Sequence, residues 1–201
     1  MNHSFSTDHL SVEARSFFLA YGRCVIAWNG AEQQVRQLLS ALISGETHSV
    51  LGNILSAELG TRAIAETLQS IANDILVGDA ATEVCYVAKL FSIISGHRNY
   101  IIHGPAMYSD VAGGAVIHSW SAKGKLKKNS DVYTIEQIHE FTGWCWDLMN
   151  FANGVMFAMY SNAPPNLEPS SWPEKPHLPP AINKSARDWR ELRRPRPASP
   201  E

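Results

Sequence analysis

The sequence predicts an all-α protein: a four-helix up-and-down bundle with a small β-hairpin inserted between helices 3 and 4, and an extended, proline-rich C-terminal tail. Long stretches of the chain place apolar residues at alternating spacings of three and four, which is typical of amphipathic helices. The connections between these stretches are short, which favours antiparallel neighbours. Ten of the 11 prolines lie after residue 162, so we expect a helical body at residues 1–162 and a tail at residues 163–201.

The first helix is predicted to run from Ser11 to Leu42. Ser11 is a suitable N-cap, and Glu13 places a negative charge in the first turn, where the helix dipole favours it. Ser44 and Gly45 end the helix. Its apolar stripe consists of Phe18, Tyr21, Val25, Trp28, Val35, Leu39 and Leu42.

Two further helices are predicted at Asn53–Leu76 and Ala80–His103, separated by a Gly-Asp pair. In the third helix the spacing of the apolar residues continues beyond Ile94 and reaches Arg98. A charged side chain in line with core positions is costly to bury unless it is paired or faces a site. Arg98 is therefore an unusual residue in an otherwise ordinary helix.

The helical spacing of apolar residues is interrupted between residues 106 and 133, where we expect the β-hairpin. Residues 115–120 read as one strand, residues 123–125 as the turn and residues 131–133 as the return. The fourth helix begins at Thr134, with Gln137 three residues later completing a capping box.

The tail is too rich in proline for a helix or a central strand, so it is predicted to be extended or disordered, and to wrap the body or to reach a partner. Trp172 and Trp189 are candidate anchors. Its basic end, residues 187–197, fits a solvated tail better than a nucleic-acid contact.

Composition and charge exclude several classes of protein. The 201 residues carry a formal net charge of −2, which argues against a general polyanion binder. Residues 1–162 have ten basic and 14 acidic side chains, so nucleic acid would need a local patch. The predicted hairpin offers one, with Lys123 and Lys125 as candidate substrate-binding residues.

No segment reads as a signal peptide or a membrane span, which predicts a cytoplasmic protein without membrane contact. The three cysteines, Cys24, Cys85 and Cys145, have no spacing that suggests zinc or a disulfide framework. There is no glycine-rich phosphate loop and no set of metal ligands, so we expect neither a cofactor nor a metal.

The strongest chemical signal is the stretch Arg98-Asn99-Tyr100-Ile101-Ile102-His103, which Gly104 and Pro105 follow. Arginine keeps its proton in a protein, whereas histidine titrates near neutral pH. The pair could therefore stabilise a phosphate and move a proton. Asn99 and His103 are four residues apart and share one helix face, while Arg98 is rotated by about 100° from Asn99.

This arrangement resembles the HEPN superfamily, the helical domains of prokaryotic toxins, defence systems and several RNA-cleaving enzymes. The resemblance covers residues 11–160 and rests on the helical bundle, the Arg-polar-x3-His motif at the end of the third helix, and the hairpin before the last helix. It implies a metal-independent endoribonuclease, a toxin or anti-phage defence effector, that cleaves RNA to a 2′,3′-cyclic phosphate. It also implies a homodimer in which both motifs meet at one site, and an antitoxin or other protein as partner.

The resemblance also implies a role for each motif residue. Arg98 would neutralise phosphate, His103 would act as general acid and base, and Asn99 would hold the histidine or the substrate. Beside the motif, Tyr100 is a packing residue or a substrate contact. Glu32 interrupts the apolar stripe of the first helix and is either a partner for Arg98 or an ordinary glutamate.

Two readings of the motif stay open at this point. The alternative to catalysis is a non-catalytic helical dimer that binds a protein partner or a nucleotide through the same cleft. In that case Arg98 and His103 cap a helix or bridge a dimer seam. His97 is predicted to lie on the surface.

Overall fold

The computed structural model describes residues 10–47, 49–102, 106–109, 114–121, 127–160 and 172–180, and only the backbone of the strands before Tyr133. This part of the chain is mostly helical, as predicted. The helices are α1 (Val12–Ser44), α2 (Val50–Ala57), α3 (Thr61–Asp74), α4 (Gly78–Ile101) and α5 (Ile135–Tyr160), and the strands are β1 (Ala106–Ser109), β2 (Gly114–Ser121) and β3 (Lys127–Tyr133).

Helix α1 begins and ends where its sequence predicts. The Ser11 hydroxyl accepts a hydrogen bond from the backbone N–H of Ala14 at 3.1 Å, which satisfies one of the free donors of the first turn. Gly45 ends the helix with φ of 77°, and its N–H donates to the carbonyl of Ala41. Small side chains share the face that packs against α5, and this lets the two helices approach closely: Ala20, Cys24, Ala27, Ala31 and Ala41.

The single helix predicted at Asn53–Leu76 is wrong, because α2 and α3 are separate helices broken at residues 58–60. Arg36 of α1 donates from one guanidinium nitrogen to the carbonyls of Ser56 and Leu59 and so satisfies acceptors at the end of α2. Gly52 lies so close to Ser40 that a Cβ atom there would overlap the serine. Helix α2 is therefore held against α1, and the chain turns again before α3.

This extra turn changes the direction of every later helix. Hydrogen bonds join Gln34 to Asn153 and Ala41 to Tyr160, so α1 and α5 run in the same direction. The up-and-down order predicted for four helices would make them antiparallel. Helix α4 runs opposite to both. Its end meets Tyr21 of α1 while its middle stacks on Trp28, and its residues Tyr86 and His97 meet Phe151 and Trp144 of α5 in reverse order.

Between α4 and α5 the chain forms a three-stranded antiparallel sheet in the order β1-β2-β3, where the sequence predicts a two-stranded hairpin. Ala106 pairs with Ile117, and Ala115 pairs with Tyr133. Helix α5 then starts with the predicted capping box. The N–H of Gln137 donates to the Thr134 hydroxyl at 3.3 Å, and the Gln137 side chain accepts from the N–H of Thr134 at 2.9 Å.

Part of the proline-rich tail is packed against the body. Trp172 and Leu178 contact the hydrophobic core, and Pro173 lies against Gly154 of α5. We call residues 172–180 the strap. None of the described helices has the length and apolar content needed to cross a membrane.

Candidate functional site

The end of α4 is fixed by a hydrogen bond from another helix. The hydroxyl of Tyr21 on α1 donates to the carbonyl of Ile101 at 3.2 Å and lies 3.4 Å from the carbonyl of Ile102. Burial raises the pKa of Tyr21, and this keeps the phenol protonated as a donor. The N–H of Ile102 closes the last turn on the carbonyl of Arg98 at 2.8 Å. The residues of the motif up to Ile102 are thus held in place from two sides.

Arg98 is half-buried and lies against a buried aromatic stack. Its guanidinium carbon is 5.5 Å from the centre of the Trp28 ring, within the range of a cation–π interaction. Trp28 in turn stacks on Phe91, with the ring planes 1° apart and the centroids 5.7 Å apart. The positive charge also lies in the last turn of α4, where the helix dipole favours a cation. The predicted core-facing position of Arg98 thus becomes a position at the rim of the core.

Asn99 and Tyr100 are exposed beside this arginine. The Oδ1 atom of Asn99 accepts a hydrogen bond from Nη1 of Arg98 at 3.2 Å, so the amide orients the guanidinium. Among the described residues, the Asn99 amide nitrogen has no acceptor of its own. Tyr100 is 41 % exposed, which places a phenol at the surface next to the charge.

Three predicted site residues lie outside the residues whose side chains the structure describes. These are His103, Lys123 and Lys125. The geometry therefore brings together Arg98, Asn99 and Tyr100.

Of the two readings left open for Glu32, a partner for Arg98 or an ordinary glutamate, the structure shows an ion pair with another arginine. Its carboxylate forms an ion pair with Arg36 one turn further along α1, at 2.7 Å, and both side chains are mostly buried. Because Arg36 also donates to the end of α2, Glu32 serves to orient the residue that holds α2 in place. It belongs to the α1–α2 contact and not to the arginine of α4.

The prediction that His97 lies on the surface is wrong. His97 is 4 % exposed, and its ring lies 4.9 Å from that of Trp144. Nε2 is 2.9 Å from the carbonyl oxygen of Pro180, and since a carbonyl only accepts, Nε2 carries the proton. Burial lowers the pKa of His97, while the bond to Pro180 and the charge of Glu140 act in the opposite direction. His97 is the residue that the sequence analysis missed, because its partner is 83 positions away.

The site offers a fixed cation next to an exposed amide and an exposed phenol. These groups suit an anionic group that is linked to a flat, polar ring system, such as the phosphate of a nucleotide. Within the part of the chain that the structure describes, no group of three or more His, Cys, Asp or Glu side chains could hold a metal ion.

Comparison with protein-family models, with curated proteins and with solved structures finds no match to this chain. The case for a function therefore depends on the motif and on the geometry around Arg98.

Proposed function

We propose that the chain is a HEPN-type, metal-independent endoribonuclease whose site forms where two copies bring their motifs together. The helical body would supply the frame, with α1, α3, α4 and α5 as its four principal helices and the sheet as the insertion before the last one. A role as a toxin or defence effector, with an antitoxin or other protein partner, belongs to the same proposal.

In the proposed reaction the 2′-oxygen of a ribose attacks the adjacent phosphorus and the bond from phosphorus to the 5′-oxygen breaks. The products are a 2′,3′-cyclic phosphate and a free 5′-hydroxyl. His103 removes the proton from the 2′-hydroxyl and a protonated His103 supplies one to the leaving oxygen. Arg98 neutralises the charge that gathers on the non-bridging oxygens.

The observation that carries the proposal is the position of Arg98. A guanidinium stabilises a transition state best when it is already oriented, because no free energy is then spent on reorganisation during the reaction. Arg98 has Trp28 beneath it and Asn99 beside it. Tyr21 holds the end of the same helix, from which the chain continues to His103. Exposed Asn99 and Tyr100 beside this arginine add polar groups that a phosphate-bearing substrate can contact.

The decisive experiment is incubation of the purified chain with RNA in EDTA, followed by analysis of the product ends. We expect cyclic phosphate ends, and a loss of rate of about 10²–10⁴-fold in Arg98→Ala and in His103→Ala. His139→Gln is the matched control, since His139 is an exposed histidine on α5 that does not belong to the motif. Cleavage that survives both motif substitutions would reject the assignment.

A second candidate function is a non-catalytic helical module that binds a protein partner or a nucleotide. A specific observation favours it, because α2 exposes an apolar face made of Val50, Leu51, Ile54 and Leu55. Intact RNA in the presence of folded dimer, together with loss of partner binding in Leu51→Glu, would favour this function. Toxicity on expression that depends on His103 would favour the nuclease.

A further inference from the structure

The strap, residues 172–180, lies across α4 and α5 and is held by hydrogen bonds to two of its own carbonyls. The hydroxyl of Tyr86 donates to the carbonyl of Pro176, and Nε2 of His97 donates to the carbonyl of Pro180. Both donors are on α4. The two acceptors are four residues apart, which matches a segment that is extended along the helix.

Aromatic rings form the surface beneath the strap. Tyr86 packs edge-on against Phe151 of α5, with centroids 5.4 Å apart. The ring of His97 lies beside Trp144, also on α5. We call the surface formed by these four residues the α4–α5 groove. The strap itself contributes Trp172 and Leu178 to the hydrophobic core.

An ion pair with a buried carboxylate adds specificity to this contact. Nζ of Lys175 lies 2.7 Å from a carboxylate oxygen of Glu83, whose side chain is only 9 % exposed. The same ammonium group lies 5.6 Å from the centre of the Tyr86 ring. At the same end of the groove, Gly154 leaves the space that Pro173 fills, because a Cβ atom there would lie 2.9 Å from the proline Cβ.

This chemistry is that of a recognition site for proline-rich peptides. Such sites combine aromatic surfaces with donors aimed at prolyl carbonyls, and the stiff proline segment loses little conformational entropy on binding. The groove recognises side chains and carbonyls of the strap. Among the described residues, the strap is held by side-chain donors and not by a ladder of backbone hydrogen bonds.

We propose that the strap is exchangeable between two copies of the chain, so that the α4–α5 groove is a docking site for the strap of a second copy. Eleven residues, 161–171, separate the end of α5 from the strap. Fully extended, they reach at most about 36 Å, whereas Gly154 lies only about 9 Å back along α5. The connection is therefore longer than docking onto the same copy requires, and it is long enough to reach a neighbour.

Docking within one copy dominates at ordinary protein concentrations, because the short connection holds the strap at an effective concentration in the millimolar range. Exchange becomes visible when each copy is prevented from closing on itself. The inference does not rest on the ribonuclease proposal, since its readout is association and not cleavage.

The test is a complementation between two full-length variants. In the first, Gly154→Leu blocks the groove and leaves the strap intact. In the second, Trp172→Ala with Leu178→Ala disables the strap and leaves the groove intact. After circular dichroism has shown that both are folded, we expect the mixture to form a one-to-one complex, at least about tenfold more than either variant forms alone.

The matched control for the first variant is Gly143→Leu, because Gly143 lies on the same helix with nothing within 4 Å of its missing Cβ. A Gly143→Leu copy keeps its own groove closed and should not associate with the second variant. If Gly154→Leu does not fold, Gly154→Ala takes its place, since its Cβ alone meets Pro173.

Two results would overturn the proposal. One is a pair of folded, complementary variants that stay separate when mixed at several hundred micromolar. The other is binding of a synthetic peptide of residues 170–182 to the second variant without any complex between the two chains. That result would assign the groove to a free proline-rich segment and not to a second copy.

Discussion

Two neighbouring residues on α4, one buried and one at the rim of the core, lie on different faces of the helix and have different surroundings. His97 points toward α5 and is covered by the strap, whereas Arg98 points toward α1 and stops at the rim of the core. The rotation of about 100° between successive helical residues separates them. One face of α4 is thus closed by the chain itself, and the other carries a charge that faces outward beside exposed polar groups.

The different burial of the two side chains follows from their acid–base chemistry. A histidine can be buried because it can lose its charge, and the carbonyl of Pro180 then satisfies the remaining N–H. An arginine cannot lose its charge, so full burial without a partner would be costly. It is stable at the rim, where its flat face packs on Trp28 and its edge stays polar. A permanent charge held at an edge is what a phosphate site requires.

Among the substitutions that test this difference between the two faces, the largest loss of stability is expected from removing the aromatic ring on which Arg98 packs. Trp28 is fully buried, so Trp28→Ala should lower the free energy of unfolding by about 3–5 kcal/mol. Urea denaturation measures this loss. Trp146→Ala is the control, because Trp146 is 45 % exposed and should change stability by less than about 1 kcal/mol. Equal losses in the two variants would mean that Trp28 is not the base of the arginine site.

On the opposite face, the ion pair of the strap should give the next largest effect. Lys175→Ala leaves the carboxylate of Glu83 buried without its cation, and this should cost about 1–3 kcal/mol. Adding Glu83→Gln to Lys175→Ala removes the unpaired charge and should restore part of the loss. A double-mutant cycle by urea denaturation measures the coupling. Additive effects would show that the strap does not need this pair.

A smaller difference in stability is expected between alanine substitutions at the two glycines of α5, Gly143 and Gly154. Gly143→Ala should stabilise the chain by up to about 1 kcal/mol, because alanine is the better helix former and nothing opposes its Cβ. Gly154→Ala gains the same helix propensity but pushes against Pro173, so its stability should be lower than that of Gly143→Ala. Its Trp172 should also become more exposed, as fluorescence quenching by acrylamide would report. Identical behaviour of the two variants would mean that the strap does not depend on this close approach.

The sequence predicted best those features that depend on residues only a few positions apart. The cap of α1 joins Ser11 to Ala14, and the capping box of α5 joins Thr134 to Gln137. Both are confirmed because every atom they need lies within one helical turn. The spacing of the apolar residues before Arg98 also predicted that it faces the core, whereas its stop at the rim depends on Trp28 of another helix.

The features that were wrong depend on partners far along the chain. The break between α2 and α3 has a local sign in Gly60, but the carbonyls it frees are satisfied by Arg36, and this changes the direction of all later helices. The same arginine pairs with Glu32, for which the sequence had left a pairing with Arg98 open. The burial of His97 could not be predicted from its neighbours, because Pro180 reaches it from a segment whose composition only indicates an extended chain.

The smallest effect that sharpens the comparison is the pH dependence due to His97. Burial lowers the pKa of His97 in the folded chain, whereas in the unfolded chain the ring titrates near its ordinary value of 6.5. As the pH falls below about 6.5, the unfolded state takes up a proton that the folded state does not, so the free energy of unfolding decreases. Above that pH the contribution is constant. In His97→Gln the amide keeps a donor for Pro180 but does not titrate, and the dependence of stability on pH between about 6.5 and 5 should become weaker.

His139→Gln removes an exposed histidine from α5 and serves as the control in the same denaturation series. If the His97→Gln chain lost stability with falling pH as steeply as the control, burial of the neutral His97 ring would not be a source of the pH dependence.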